Sequence, residues 1–424
     1  MQVSLVTIGS EILDGRIQDT NSQWITEILS DNGIKIERIV SCQDSIEDIK
    51  AVLKFIASSN DPQTIICTGG LGPTEDDITR QAIAKYLKVD LVKNSDSYNR
   101  LLDLFHKRGR TISASNEIQS FFPNGSEIIL NKVGTAEGFY ISGKNVTVFA
   151  LPGVPREMKP MFSDNVLEFV ATKEAANQIN KVGFRTFGVP ESIVGERVKE
   201  VLKNITNISV SYRATAPEVQ VILKSSQLNE AELDTYKDEA IKSIGKTYCF
   251  TDNPNEILPE TLHNLLLNTT ITISFAESCT GGLASSLMTK LPGSSKYFTG
   301  SVVAYSNKLK SQLLGVSEEL ILTQGAVSEQ VAREMASGIR QRTGSDIGVS
   351  VTGIAGPDGG SEEKPVGTFF VGLASNEGNK AYKFFYPLER EWMQRYSAFA
   401  VIDVVRRTVL GVEVPEYFGA RILS

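Results

Sequence analysis

The chain has 424 residues, 41% hydrophobic and 22% charged, with a net charge of −7. At ~150 residues per domain the length predicts about three domains, and the composition excludes a disordered chain. The acidic balance excludes a surface built to coat nucleic acid, and no apolar run reaches the ~18 residues of a membrane span.

Residues 3–8 read as a buried strand that ends at Gly9. Helical spacing follows at 20–29 and 45–57, with strands at 34–40, 64–67 and 146–150 and a helix at 80–87. This alternation predicts parallel strands joined by right-handed crossovers, a layered α/β domain over residues 1–172. Ligands of such sheets bind at the carboxyl ends of the strands.

Between the strand at 64–67 and the next helix runs T-G-G-L-G-P-T-E-D-D. Gly69, Gly70, Gly72 and Thr74 suit a cradle for an anion. Asp76 and Asp77 either hold a divalent cation such as Mg²⁺ against phosphates or cap the helix. Gly9, Ser10, Glu11 and Asp44 end neighbouring strands, and Pro152 and Gly153 form a rigid turn after 146–150. Four loops are thereby expected on one sheet edge.

Residues 181–250 follow a β-α-β-β-α-β rhythm, which predicts a small split βαβ domain of ferredoxin- or KH-like type over 173–252. It carries no G-x-x-G clamp, so no direct nucleic-acid role is expected. A polar cluster at 251–255 reads as a linker. The α/β rhythm returns over 253–424, with a helix at 257–267 and a strand at 270–275. The predicted fold class is α/β, two layered α/β domains joined by a small α+β domain.

Only two histidines occur, His106 and His263, and neither stands beside a nucleophile motif. Serine chemistry in this chain then calls for Lys, Tyr, a carboxylate or metal-bound water as base. Four scattered cysteines give neither a disulfide framework nor a zinc site. A-E-S-C-T-G-G (276–282) is a strand-to-helix turn, where small residues let backbone N–H groups approach an anion or a developing oxyanion. Ser278 reads there as a nucleophile, a phosphate-binding hydroxyl or a helix cap. Cys279 reads as a small packed side chain.

S-V-V-A-Y-S-N-K-L-K (301–310) delivers Tyr305, Asn307 and Lys310. Burial lowers a lysine pKa, so Lys310 is a candidate base for Ser278, directly or through Tyr305; the plain alternative is a surface pair. V-T-G-I-A-G-P-D-G-G (351–360) is a glycine-rich loop after a buried strand, with Gly353, Ala355 and Gly356 suited to a phosphate or ribose. Lys364 beyond it reads as a solvated loop residue.

Together A-E-S-C-T-G-G, Y-S-N-x-x-K and V-T-G-I-A-G-P-x-G-G, followed by K-P-V-G-T, resemble the carboxyl-terminal domain of the CinA family, which also occurs alone as PncC. The resemblance implies an amidohydrolase that converts nicotinamide mononucleotide to nicotinic acid mononucleotide and ammonia without a cofactor. It makes Ser278 the nucleophile and Tyr305 with Lys310 the activating pair. Thr280, Gly281, Gly282, Asn307, the loop from Gly353 and Arg395 would hold the substrate. The glycine loop at 68–77, T-N-S at 20–22 and G-T-A-E-G-F at 134–139 also look like CinA, whose first domain is related to molybdopterin-binding proteins. By that analogy the first domain binds a pyrophosphate ligand and hydrolyses ADP-ribose with a divalent metal at Asp44, Asp76 and Asp77. The resemblance departs at Glu137, where proline is usual. It further implies a homodimer, and a cytoplasmic location is expected since no secretory signal is visible. A binding or regulatory protein linked to DNA uptake or damage, and a molybdopterin-binding role, stay open as other readings.

Overall fold

The computed structural model describes residues 2–59, 61–107, 109–173 and 179–415, and the chain groups into two compact units, Met1–Ile179 and Asn180–Ser424. In the first unit β1 (Gln2–Ile8) is buried from Val3 to Ile8, as suits an apolar strand with partners on both sides. It pairs in parallel with β2 (Ile36–Cys42) and β3 (Gln63–Thr68). Strands β4 (Leu91–Lys93) and β5 (Phe121–Pro123) form a separate antiparallel pair. The main sheet is completed by β6 (Glu127–Ile129), β7 (Gly138–Ser142) and β8 (Val146–Leu151), in the order β2-β1-β3-β8-β7-β6.

Strand β8 runs parallel to β3, but β7 and β6 are antiparallel to their neighbours. The four strands read from the sequence are thus parallel as expected, and β7 and β6 add an antiparallel edge to them. A parallel pairing needs a crossover of a dozen residues or so, and the turn between β7 and β8 leaves no room for one. Helices cover both faces: Ile49, Leu53 and Ile83 pack with Ile65 and Phe139 on one, and Ile25, Leu29 and Phe162 with Leu5 and Phe149 on the other.

The second unit opens with β9 (Asn180–Phe187), β10 (Ser209–Thr215), β11 (Glu218–Ser225) and β12 (Cys249–Thr251), an antiparallel sheet in the order β10-β11-β9-β12. The helices Glu191–Leu202 and Glu230–Ile244 complete the expected split βαβ pattern. A five-stranded sheet follows: β13 (Ile273–Glu277), β14 (Phe298–Val303), β15 (Ile347–Gly353), β16 (Thr368–Ser375) and β17 (Gly378–Phe385), in the order β14-β13-β15-β16-β17.

The sequence predicts the small sheet as a domain of its own, whereas here it shares a unit with the larger one. Phe187 and Phe250 from the small sheet lie in one core with Leu258, Phe275 and Phe399. A buried ion pair reinforces the junction: Arg185 Nη1 donates to Glu218 Oε2 at 2.8 Å, and Leu258 N donates to Glu218 Oε1 at 2.6 Å.

Both layered sheets place a strand between two parallel partners reached in opposite directions, β1 in the first and β13 in the second. Such switch points open a crevice beyond the strand carboxyl ends. No described helix is long and apolar enough to cross a membrane.

Candidate functional site

Ser278 follows β13 directly, and its backbone N–H donates to Val351 O of β15 at 3.0 Å. The residue is fixed at the switch point and is 7% exposed. Lys310 comes from the helix Asn307–Leu314, whose start is fixed by the Ser306 hydroxyl accepting from Leu309 N. Its Nζ donates to Ser278 Oγ at 2.9 Å, to Ala304 O at 3.0 Å and to Tyr305 O at 3.3 Å. Burial pushes the Lys310 ammonium down from its ordinary pKa, and among the described residues no carboxylate opposes the shift. Only an ionised Cys279 would oppose it, and burial lifts that thiol to about 12. Cys279 is a packed thiol, as its sequence position predicts.

The Tyr305 hydroxyl and the turn after Ser278 are engaged differently from the expectation. Tyr305 is 59% exposed, and its hydroxyl accepts from Arg390 Nη2 at 2.8 Å. Tyr305 therefore supplies Lys310 with a main-chain carbonyl, and the expected hydroxyl relay to Ser278 is absent. Thr280, Gly281 and Gly282 do not form an anion cradle. The fully buried Glu277 carboxylate already occupies that place: it accepts from Thr280 Oγ1 at 2.7 Å, Gly282 N and Ala284 N at 3.1 Å, and Ser285 N at 2.8 Å. The positive end of the helix Leu283–Thr289 is neutralised by the chain itself. Ser278 is not the helix cap either, since Gly282 holds that position.

The loop after β15 forms the opposite wall of a cleft of about 270 Å³, lined by Ser278, Tyr305, Asn307, Lys310, Gly353, Ala355, Gly356, Asp358 and Arg390. Gly353 is required there by packing, because a Cβ would stand 2.4 Å from Phe369 Cβ. Arg395 is not in the cleft: its Nε donates to Ala216 O at 2.7 Å and its guanidinium lies over Phe399. Arg390 takes the cationic position, with Nη1 on Gly356 O at 2.8 Å. Helical periodicity carries the signal for this exchange. Arg390 and Gln394 share a face one turn apart, and Gln394 Nε2 donates to Cys279 O at 2.8 Å, whereas Arg395 points about 140° away from Arg390. Lys364 is tethered to Gln324 O at 2.8 Å, so it is not a freely solvated residue. His263 pairs with Tyr297, Nδ1 to hydroxyl at 2.7 Å, and lines no part of this cleft.

In the first unit the carboxyl ends of β1, β2, β3 and β8 converge on a larger cleft of about 570 Å³. Its lining includes Glu11, Asp44, Gly69, Gly70, Gly72, Thr74, Asp76, Asp77, Pro152 and Gly153, so the four loops meet as expected. Gly69 has φ 107°, and a Cβ there would meet Ile8 O at 2.1 Å, so the close approach of these strands needs glycine. Gly9 and Ser10, expected in this cleft, lie outside its lining. Ser10 donates to Asp44 Oδ2 from N at 2.8 Å and from Oγ at 3.0 Å, and Gly9 N donates to Cys42 O. They hold Asp44 from behind.

Asp77 Oδ2 accepts from Thr74 N at 2.9 Å and Thr74 Oγ1 at 2.5 Å, while Asp76 is exposed. The helix begins at Thr79 with Ile78 as its cap, so neither aspartate caps it. Among the described residues no three His, Cys, Asp or Glu side chains gather as a metal cage. Gln119, Thr135 and Glu157 also line the cleft: Gln119 comes from a stretch that carries no motif, Thr135 from G-T-A-E-G-F and Glu157 from the segment just after the Pro152–Gly153 turn. Glu137 is held by Ser97 Oγ and by Arg100 Nε at 2.7 Å, outside this cleft.

Residues 255–409 match the family described as CinA C-terminal domain, and residues 4–172 match the one described as probable molybdopterin binding domain. A CinA-like protein of Geotalea uraniireducens is 37% identical over 420 residues, covering 98% of this chain and 99% of its own. The chain belongs to the CinA family. A second CinA-like protein, from Cytophaga hutchinsonii, is 38% identical over 414 residues, covering 96% of this chain and 98% of its own. A solved structure of a competence/damage inducible protein from Agrobacterium tumefaciens, 33% identical, covers 36% of this chain and 95% of its own with a TM-score of 0.35. Within this CinA chain the Ser278 cleft falls inside the first match and the Asp44–Asp77 cleft inside the second.

Proposed function

We propose that this CinA chain is a two-site hydrolase of pyridine nucleotides. The Ser278 cleft deamidates nicotinamide mononucleotide, and the amino-terminal cleft cleaves ADP-ribose to AMP and ribose 5-phosphate. The observation that carries the first assignment is the 2.9 Å contact of Lys310 Nζ with Ser278 Oγ, two buried residues that line the cleft. A neutral Lys310 keeps two N–H groups on Ala304 O and Tyr305 O, which turns its lone pair toward the Ser278 proton. Ser278 Oγ then attacks the carboxamide carbon, and Lys310 takes the proton and returns it to the departing nitrogen as ammonia leaves. Water attacks the resulting ester by the same route in reverse, releasing the carboxylate and restoring Ser278. Arg390 and the loop from Gly353 supply the positive and main-chain contacts for the nucleotide phosphate.

In the amino-terminal cleft the residues fit a divalent cation of Mg²⁺ type. Such ions take one or two protein carboxylates and complete their shell with water and substrate phosphate, so a three-residue cage is not needed. Asp44 and Asp77 each keep one oxygen outside the hydrogen bonds described above, and Asp76 stands at the exposed lip. A bound cation there neutralises charge on the pyrophosphate. Gly69, Gly70 and Gly72 let the main chain approach the phosphates. The test measures ammonia from nicotinamide mononucleotide and AMP from ADP-ribose, with Ser278→Ala and Asp77→Ala each removing only its own product. Unchanged ammonia release in Ser278→Ala overturns the amidase reading. Absence of AMP at every metal tested leaves the first unit a binding domain, as its match to molybdopterin-binding proteins also allows.

A further inference from the structure

A second cavity of about 250 Å³ opens beside the amino-terminal cleft and shares Gln119 and Thr135 with it as common wall. Its floor is apolar, formed by Leu101, Leu104 and Leu130. Its two cations carry no spare charge for another phosphate. Arg100 is paired with Glu137 at 2.7 Å and Lys132 with Asp164 at 2.9 Å.

What the cavity lacks is a hydrogen-bond donor for its acceptors. Gln119 is 2% exposed, and its amide nitrogen donates to Thr135 Oγ1 at 3.3 Å, while its carbonyl Oε1 is buried with no partner. An orphaned buried carbonyl carries an unmet desolvation cost, which a ligand donor relieves once the amide turns slightly toward it. The Glu137 carboxylate has about four acceptor positions, and Ser97 Oγ, Arg100 Nε and Arg100 Nη2 fill three. The fourth belongs to Oε1, on a side chain that lines the cavity.

We propose that this side pocket is the base subsite of the amino-terminal cleft and takes a planar heterocycle bearing an exocyclic amine, whose N–H groups reach Gln119 Oε1 and Glu137. The leucines cover the faces of the ring, and the phosphates lie across the shared wall among the glycine loops and aspartates. This assignment rests on the pyrophosphate reading of the cleft. It adds a selection for adenine over hypoxanthine, which carries a carbonyl where adenine carries the amine.

The experiment compares Kd values, in Mg²⁺, for non-hydrolysable α,β-methylene analogues of ADP-ribose and of its hypoxanthine counterpart, with inorganic pyrophosphate as a third probe. Wild type is expected to favour the adenine ligand about tenfold, the size of one hydrogen bond to a buried acceptor. Gln119→Met is expected to bring the two ligands to within about twofold, while pyrophosphate binding stays unchanged. The ligand comparison on wild type does not depend on the variant folding. Equal affinity for the two bases, or a tenfold preference that survives in Gln119→Met, overturns the subsite while leaving the cleft reading intact. Pyrophosphate bound as tightly as either base-bearing ligand does the same. Binding of none of the three removes the cleft reading, and the subsite falls with it.

Discussion

Lys310 Nζ lies 2.9 Å from Ser278 Oγ, and its two remaining polar contacts are main-chain carbonyls. Neither carbonyl is a charge partner, so burial is the main influence on the protonation of the lysine. Removing it is expected to separate function from stability. Lys310→Met should lower kcat for ammonia release by about 10³-fold or more, as loss of a general base does. It should leave Tm equal or raised by about 2 °C, because a buried, desolvated amine is replaced by an apolar chain. Lys310→Arg should be as inactive, since a guanidinium does not deprotonate in this range. Calorimetry beside an ammonia assay checks both parts.

The same shift gives a pH dependence whose sign is fixed. Lys310 acts as base only when neutral, so kcat/KM should climb with pH through its titration and fall below it. The midpoint should lie under the ordinary lysine value of about 10.4, because desolvation disfavours the ammonium. A profile flat from pH 5 to 10 would remove Lys310 from the base role. Cys279→Ala should keep that profile and most of the rate, since its thiol stays protonated throughout.

Glu277 anchors the turn that carries the nucleophile. Glu277→Gln places an amide N–H₂ among N–H and O–H donors and removes the charge that they share. A loss of about 2–4 kcal/mol is expected in denaturant unfolding of the second unit, from broken charge-assisted bonds at a buried site. The activity of whatever remains folded should fall in kcat more than in KM, because Ser278 loses its fixed position.

Arg390 and Arg395 should behave oppositely. Arg390→Ala is expected to raise KM for nicotinamide mononucleotide by about tenfold or more and to change the phosphate-free riboside little. Arg395→Ala should leave KM alone and lower Tm, because its contacts are Ala216 O and the Phe399 ring. A KM effect confined to Arg395 would reverse the assignment.

Much of this was legible in the chain because local patterns carry it. The strand–turn–helix around Ser278, the glycine run at 68–77 and the β-α-β-β-α-β order of the small sheet all follow from short-range periodicity. What stayed hidden depends on contacts that no local pattern encodes. Glu277 reads as an ordinary residue of a strand end until three helix-end N–H groups are seen to converge on it. The choice of Arg390 over Arg395 needs the phase of a helix relative to a distant turn. The antiparallel edge of the first sheet needs the loop length between β7 and β8. Gln119 lies in a stretch with no motif and Thr135 inside G-T-A-E-G-F, and only the fold brings the two together at the cleft wall.

The pairing of His263 with Tyr297 has a consequence for chemical vulnerability. With that imidazole committed elsewhere and the Cys279 sulfur held as a buried thiol, the Ser278 centre offers no free imidazole and no thiolate. Soft metal ions and imidazole-directed acylating reagents, which disable hydrolases built on those groups, find no foothold beside this serine. Its exposure runs instead to compounds that present an electrophilic carbon to a serine backed by a buried lysine.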